Sequence, residues 1–233
     1  MDNNFFIGSG NEQYPYSQTV RKNNMYSKKA GVKASNQLGG KETYLRSYAL
    51  KLAQKGDYTE AIALLTQLIN IRPNDAVHYS NRGLIYFQSG NPQKAITDYN
   101  TALRLNPQLV SAYNNRANYY AACGNLTAAL ADYDEALDLN PRHVRAWINR
   151  GMTLRDLGQY AESIENFETA LLFNQLESKI WAERGRTYHL WGDWNCAIAD
   201  YNRSLSRISS NQSQDISNYH LRLQVETWLH ELL

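Results

Sequence analysis

Residues 110–143, VSAYNNRANYYAACGNLTAALADYDEALDLNPRH, decide the fold. Tyr113, Ala117 and Tyr120 stand four and three residues apart, the spacing of one helical face. Gly124 then closes the segment, as a helix C-terminus that needs a left-handed residue requires. A second stripe follows at Ala129, Tyr133 and Ala136, and Pro141 ends it. The stretch reads as helix, tight turn, helix.

The same stretch recurs with a period of 34, over 42–75, 76–109, 110–143, 144–177 and 178–211. The position of Tyr113 holds Leu45, Tyr79, Trp147 and Trp181 in the other units, and that of Ala117 holds Ala49, Gly83, Gly151 and Gly185. Gly56, Gly90, Gly158 and Gly192 match Gly124. In the second half Ala61, Ala95, Ser163 and Ala197 match Ala129, and Leu65, Tyr99, Phe167 and Tyr201 match Tyr133. The small residues let the two helices approach closely while the aromatic residues fill the seam. One unit cannot bury its apolar face alone, so neighbouring units must stack.

These motifs, W/Y-x₂-R-G/A-x₂-Y, a glycine, A-x₃-Y/F-x₂-A and a proline, resemble the tetratricopeptide repeat family. The resemblance covers residues 42–211 and implies an all-α, right-handed superhelical solenoid of five helix-turn-helix units. The YNNRANYY wording of 113–120 is similar to repeats of cyanobacterial and plastid proteins. Repeat 1 departs from the pattern at Leu65 and Leu68, and repeats 4 and 5 carry Gln175 and Ser209 in place of the proline, as suits terminal units.

Residues 212–233 do not continue the repeat. Leu221, Val225, Trp228 and Leu232 form one amphipathic stripe, read as a capping helix over the last apolar face, and the polar run 209–214 precedes it. Residues 1–41 are rich in Asn, Ser, Gly, Lys and Gln and carry six basic side chains against Asp2 and Glu12. They are expected to lack order, apart from a sticky Phe5–Ile7 cluster that could dock on the scaffold or a partner.

The resemblance also implies a function: the first helices of the repeats line a concave groove that binds extended peptides or helices of partner proteins. On the groove positions of the family stand Asn81, Asn115 and Asn149, one repeat apart. An Asn side chain offers one acceptor and two donors, the complement of a peptide group. Such a ladder is expected to grip an extended backbone. Leu50, Leu84 and Phe87 fall on the same positions in the N-terminal half. Arg145, Arg155, Lys179 and Arg186 do so in the C-terminal half, with Asp156 and Glu183 nearby. An acidic segment or the terminal carboxylate of a partner should prefer that second half. Asn118, Asn149 and Lys179 are the nearest match to the carboxylate clamp of chaperone-binding relatives. Asn114 replaces its first lysine and Glu183 its last cation, so a chaperone-tail clamp is disfavoured.

Another cation recurs at the seventh position, as Arg82, Arg116, Arg150 and Arg184, and Asp98, Asp132, Asn166 and Asp200 recur at the twenty-third. Repeat 1 lacks both, with Tyr48 and Leu64. The joint variation marks contacts between helices that hold each repeat together.

Competing functions find less. Five histidines (His78, His143, His189, His220 and His230) show no metal-ligand spacing, and no nucleophile-elbow, phosphate-loop or paired-carboxylate motif appears. The expectation is a non-enzymatic protein without cofactor or metal. Net charge is +2 with the excess in the tail, which argues against a phosphate footprint on the body, although the basic tail keeps a nucleic-acid-associated role as an alternative. Cys123 and Cys196 lie far apart without a CxxC partner and are read as small buried hydrophobes in a reducing compartment. The N-terminus lacks the basic and apolar regions of a secretory signal, and no apolar run spans a bilayer. The expected setting is the cytoplasm. The expected partner is another protein, bound through the groove or alternatively through the convex or edge surface.

Overall fold

The computed structural model describes residues 28–210 and 216–232. Helices follow one another as α1 Lys28–Gln54, α2 Tyr58–Ile71, α3 Ala76–Gln88, α4 Pro92–Leu105, α5 Val110–Ala122 and α6 Leu126–Leu139. They continue as α7 Val144–Asp156, α8 Tyr160–Leu171, α9 Glu177–Trp191, α10 Trp194–Ser210 and α11 Ile216–His230. Among the described residues there is no strand. The protein is an all-α solenoid of five helix pairs closed by α11. It divides into two compact units, one ending at Asn115 and the other beginning at Arg116.

Each pair is set by its turn. Gly90 has φ +76°, and Asn91 N–H closes back on the Tyr86 carbonyl at 2.8 Å while Gly90 N–H reaches that of Phe87 at 3.1 Å. This is the glycine-terminated helix end in which carbonyls left over by the last turn are satisfied. The same closure recurs from Asn125 to Tyr120, from Gln159 to Leu154 and from Asp193 to Tyr188, each at 2.9 Å. Helix starts are capped from the sequence too. Asp75 Oδ1 accepts from Val77 N, Asn125 Oδ1 from Ala128 N, and His143 Nδ1 from Ala146 N. Tyr79 and Trp147 tie the preceding loop down by donating to the carbonyls of Pro73 and Pro141.

Within a pair the helices touch at the small residues. A Cβ on Gly83 would lie 2.8 Å from Tyr99 Cε1 and 3.1 Å from the Ala95 carbonyl oxygen, so a larger residue would have to push these helices apart. Tyr99, Tyr133, Phe167 and Tyr201 are fully buried along the seam.

The seventh-position arginines span helices as expected. Arg82 holds Asp98 through two bonds of 2.8 Å, Arg116 holds Asp132 at 2.7 and 2.8 Å, and Arg184 holds Asp200 at 2.7 and 3.1 Å. Arg150 meets Asn166 at 3.0 Å. The structure adds a second grip that the sequence reading missed. Arg82 also donates to Thr66, Arg150 to Asp134 and Arg184 to Glu168, each in the preceding repeat. Each of these arginines therefore joins residues sixteen before and sixteen after it, stitching one repeat to the next.

Two expectations change. Helix α1 starts at Lys28, inside the segment read as unstructured, and residues 1–27 with the Phe5–Ile7 cluster lie outside the described residues, as does most of the polar run before α11. Cys123 is exposed, in the turn after α5, and Cys196 is half-exposed, in the first turn of α10, rather than buried. The α8–α9 connection lacks proline and instead takes Asn174 and Leu176 into left-handed backbone at φ +52° and +55°. The capping stripe is as read: Leu221 and Val225 are buried against Ala182, Ala197, Tyr201 and Ile208, with Trp228 and Leu232 packed beside them.

Candidate functional site

The first helix of each pair carries the residues that the sequence offers to a partner. In the N-terminal unit these lie on α3, where Asn81 and Phe87 are half-buried while Leu84 is buried. Leu50 on α1 is buried as well, so neither leucine is available at the surface. Asn115, at the end of this unit, is buried and its amide donates to Ser80 Oγ at 3.4 Å.

The C-terminal unit holds the larger set, on α7 and α9 and the end of α5. Asn149 has no exposed surface, and its amide donates to Asn118 Oδ1 at 2.9 Å. The same oxygen accepts from Tyr133 O–H at 2.6 Å. Asn118 thus ties α5, α6 and α7 together. The Asn residues meant to face a ligand stand inside the helix stack, because a buried amide must find its partners within the protein. Of the ladder only Asn81 keeps surface.

The cations are nearer to solvent. Arg155 Nη1 donates to Glu183 Oε2 at 2.8 Å, and Lys179 pairs with the other oxygen of the same carboxylate. Glu183 is itself buried, whereas both cations stay partly exposed. Burial alone would raise the Glu183 pKa; Lys179 and Arg155 outweigh it and hold the carboxyl down at about 2. Asp156 moves the other way, upward through burial despite Arg155 beside it. Arg186 donates to Glu231 Oε2 at 2.6 Å and lies over the Trp228 ring at 5.3 Å, which latches α11 to α9. His189 Nδ1 sits 3.2 Å from Tyr201 O–H, and burial lowers its pKa. Arg145 is half-buried one turn before Asn149.

This face already binds two carboxylates of its own, Glu183 and Glu231. Sequence reasoning treated Glu183 as a spoiler of cation chemistry. Its role as a buried internal counter-ion was signalled only by its position four residues after Lys179 on one helix. Among the described residues no group of three or more His, Cys, Asp or Glu is placed to hold a metal ion, and no helix is long and apolar enough to cross a membrane.

Family models described as "Tetratricopeptide repeat" match residues 76–109, 110–143 and 132–165, and one described as "TPR repeat" matches 49–90. No curated protein sequence matches this one. Solved structures share the fold. TTC0263, a thermophilic TPR protein of Thermus thermophilus, aligns at TM-score 0.69 and 20% identity, over 81% of this chain and 99% of that one. PilW, a type IV pilus biogenesis factor, aligns at TM-score 0.67 and 19% identity, over 82% and 90%. MamA aligns at TM-score 0.59 and 20% identity, over 70% and 95%. None of these supports the cyanobacterial or plastid subtype.

Proposed function

We propose that this protein, which belongs to the tetratricopeptide repeat family, is a non-enzymatic scaffold, an adaptor, assembly factor or regulatory protein, that holds an extended segment of a partner protein. The partner lies against the first-helix face of α7 and α9. Arg145, Lys179 and Arg186 contact it, with Arg155 behind them. The observation that carries this reading is the state of the cations: Lys179, Arg155 and Arg186 are partly exposed and each already holds a carboxylate. A partner carboxylate can exchange with Glu231 at Arg186, a contact at the surface, more readily than with buried Glu183. Acidic side chains or a terminal carboxylate in the partner therefore gain most near Arg186. An exposed free thiol at Cys123 suits the reducing cytoplasm. PilW is described as a biogenesis factor, and an assembly role for this protein would be of the same kind.

Affinity capture from native lysate tests the reading, comparing the wild type with Lys179→Ala/Arg186→Ala. A partner retained by the wild type and lost by a variant of unchanged helicity supports it. A partner that survives the double substitution places the binding surface elsewhere. The exposed turn at Trp191 and Trp194 favours one such place, the edge of the array.

A further inference from the structure

The turn between α9 and α10 reads Leu190-Trp191-Gly192-Asp193-Trp194-Asn195 and takes no part in the first-helix face. Trp191 is 53% exposed and Trp194 63%. A notch of about 480 Å³ lies at this turn, lined by both tryptophans, Gly192, Asp193 and Asn195. Tyr160, at the start of α8, stacks on Trp191 with ring centroids 6.4 Å apart and 29° between planes, which steadies that indole. Asp193 caps α10 through Cys196 N at 3.1 Å, and the residue remains exposed.

Charge and aromatic chemistry point to one occupant. Of the described residues, Asp193 is the one charged residue lining the notch, and no Lys or Arg lines it. Elsewhere this protein places guanidinium groups on its tryptophans: Arg184 and Arg203 lie 4.7 and 5.0 Å from the Trp181 ring centroid, and Arg186 lies 5.3 Å from that of Trp228. Among the described residues Trp191 and Trp194 have no such cation. An indole face attracts a cation through its quadrupole, and a carboxylate beside it adds a charge-assisted hydrogen bond.

We propose that the Trp191–Trp194 notch receives an arginine side chain of a basic partner segment, its guanidinium stacked on indole and hydrogen-bonded to Asp193. This is a second interaction surface, distinct from the first-helix face and of opposite charge preference. The test is fluorescence anisotropy of a labelled, N-acetylated Gly-Ser-Arg-Ser-Arg-Ser-Gly peptide titrated with the full-length protein. Saturable binding is expected, weakened roughly tenfold by Trp191→Ala/Trp194→Ala and largely kept by Trp191→Phe/Trp194→Phe. Asp193→Asn, which keeps the helix cap and removes the charge, should weaken it roughly fivefold. No binding by the wild type, or binding indifferent to the alanine and asparagine variants, overturns the proposal. Equal binding of the norleucine-substituted peptide overturns it in favour of an apolar ligand. A wild-type dimer in sedimentation that Trp191→Ala/Trp194→Ala dissolves overturns it in favour of a second copy.

Discussion

The amide of Asn149 donates to the Asn118 side-chain oxygen at 2.9 Å, wholly out of solvent, and so joins two consecutive first helices from within. Removing it takes one donor from the Asn118 oxygen, which keeps Tyr133 O–H, and opens a small cavity. Asn149→Ala should cost about 1–3 kcal/mol of stability, read as a lower urea midpoint with unchanged slope. Asn81→Ala, at a half-exposed position, should change the midpoint little. Equal losses at the two sites would mean that burial does not separate them.

The seam tyrosines separate in the same way. Tyr133 O–H is satisfied by Asn118, whereas Tyr99 O–H is buried with no partner, the equivalent of Asn118 in its repeat being Leu84. Tyr99→Phe is expected to be neutral or stabilising, and Tyr133→Phe to cost about 1 kcal/mol. Thermal melts of the two variants decide it, and a reversed order contradicts the assignment.

Glu183 gives a pH signature. Its carboxyl is held at about 2 in the folded protein against an ordinary value of 4.5, so its ion pairs stabilise above pH 4.5 and are lost as pH falls from there toward 2. Glu183→Gln leaves Arg155 and Lys179 without their counter-ion and should cost about 3 kcal/mol at neutral pH. The gap between wild type and variant should close over that acid window. A gap independent of pH would remove the carboxylate from the account.

Arg184 binds Asp200 in its own repeat and Glu168 in the one before. Arg184→Ala should therefore lower the melting temperature more than Arg203→Ala, whose pair with Asp200 is exposed on the arginine side. Equal shifts would show that the inter-repeat stitch contributes nothing.

Much of the fold was legible because period and turn chemistry are local. Gly90 and its equivalents must turn left-handed, Gly83 packs without a Cβ against Tyr99, and Arg82 varies together with Asp98. The face for a partner was less so. Spacing puts Asn81, Asn115 and Asn149 at one position of the repeat but does not say how deep each lies. Depth depends on what the neighbouring repeat supplies: Asn118 draws Asn149 inward, whereas Asn81 keeps surface. Glu183 was similarly opaque, since pairing with Arg155 bridges 28 residues. The exposure of Cys123 and of the Trp191–Trp194 turn follows from placement at inter-helix corners, where apolar composition and burial part company.

The central claim, that a partner lies against the first-helix face of α7 and α9, is tested most directly by site-specific photo-crosslinking. A benzoylphenylalanine placed at Asp156, at the end of α7, should capture the partner, and one placed at Glu165, exposed on α8, should not. Capture at Glu165 with none at Asp156 would contradict the account and move the binding surface to the second helices.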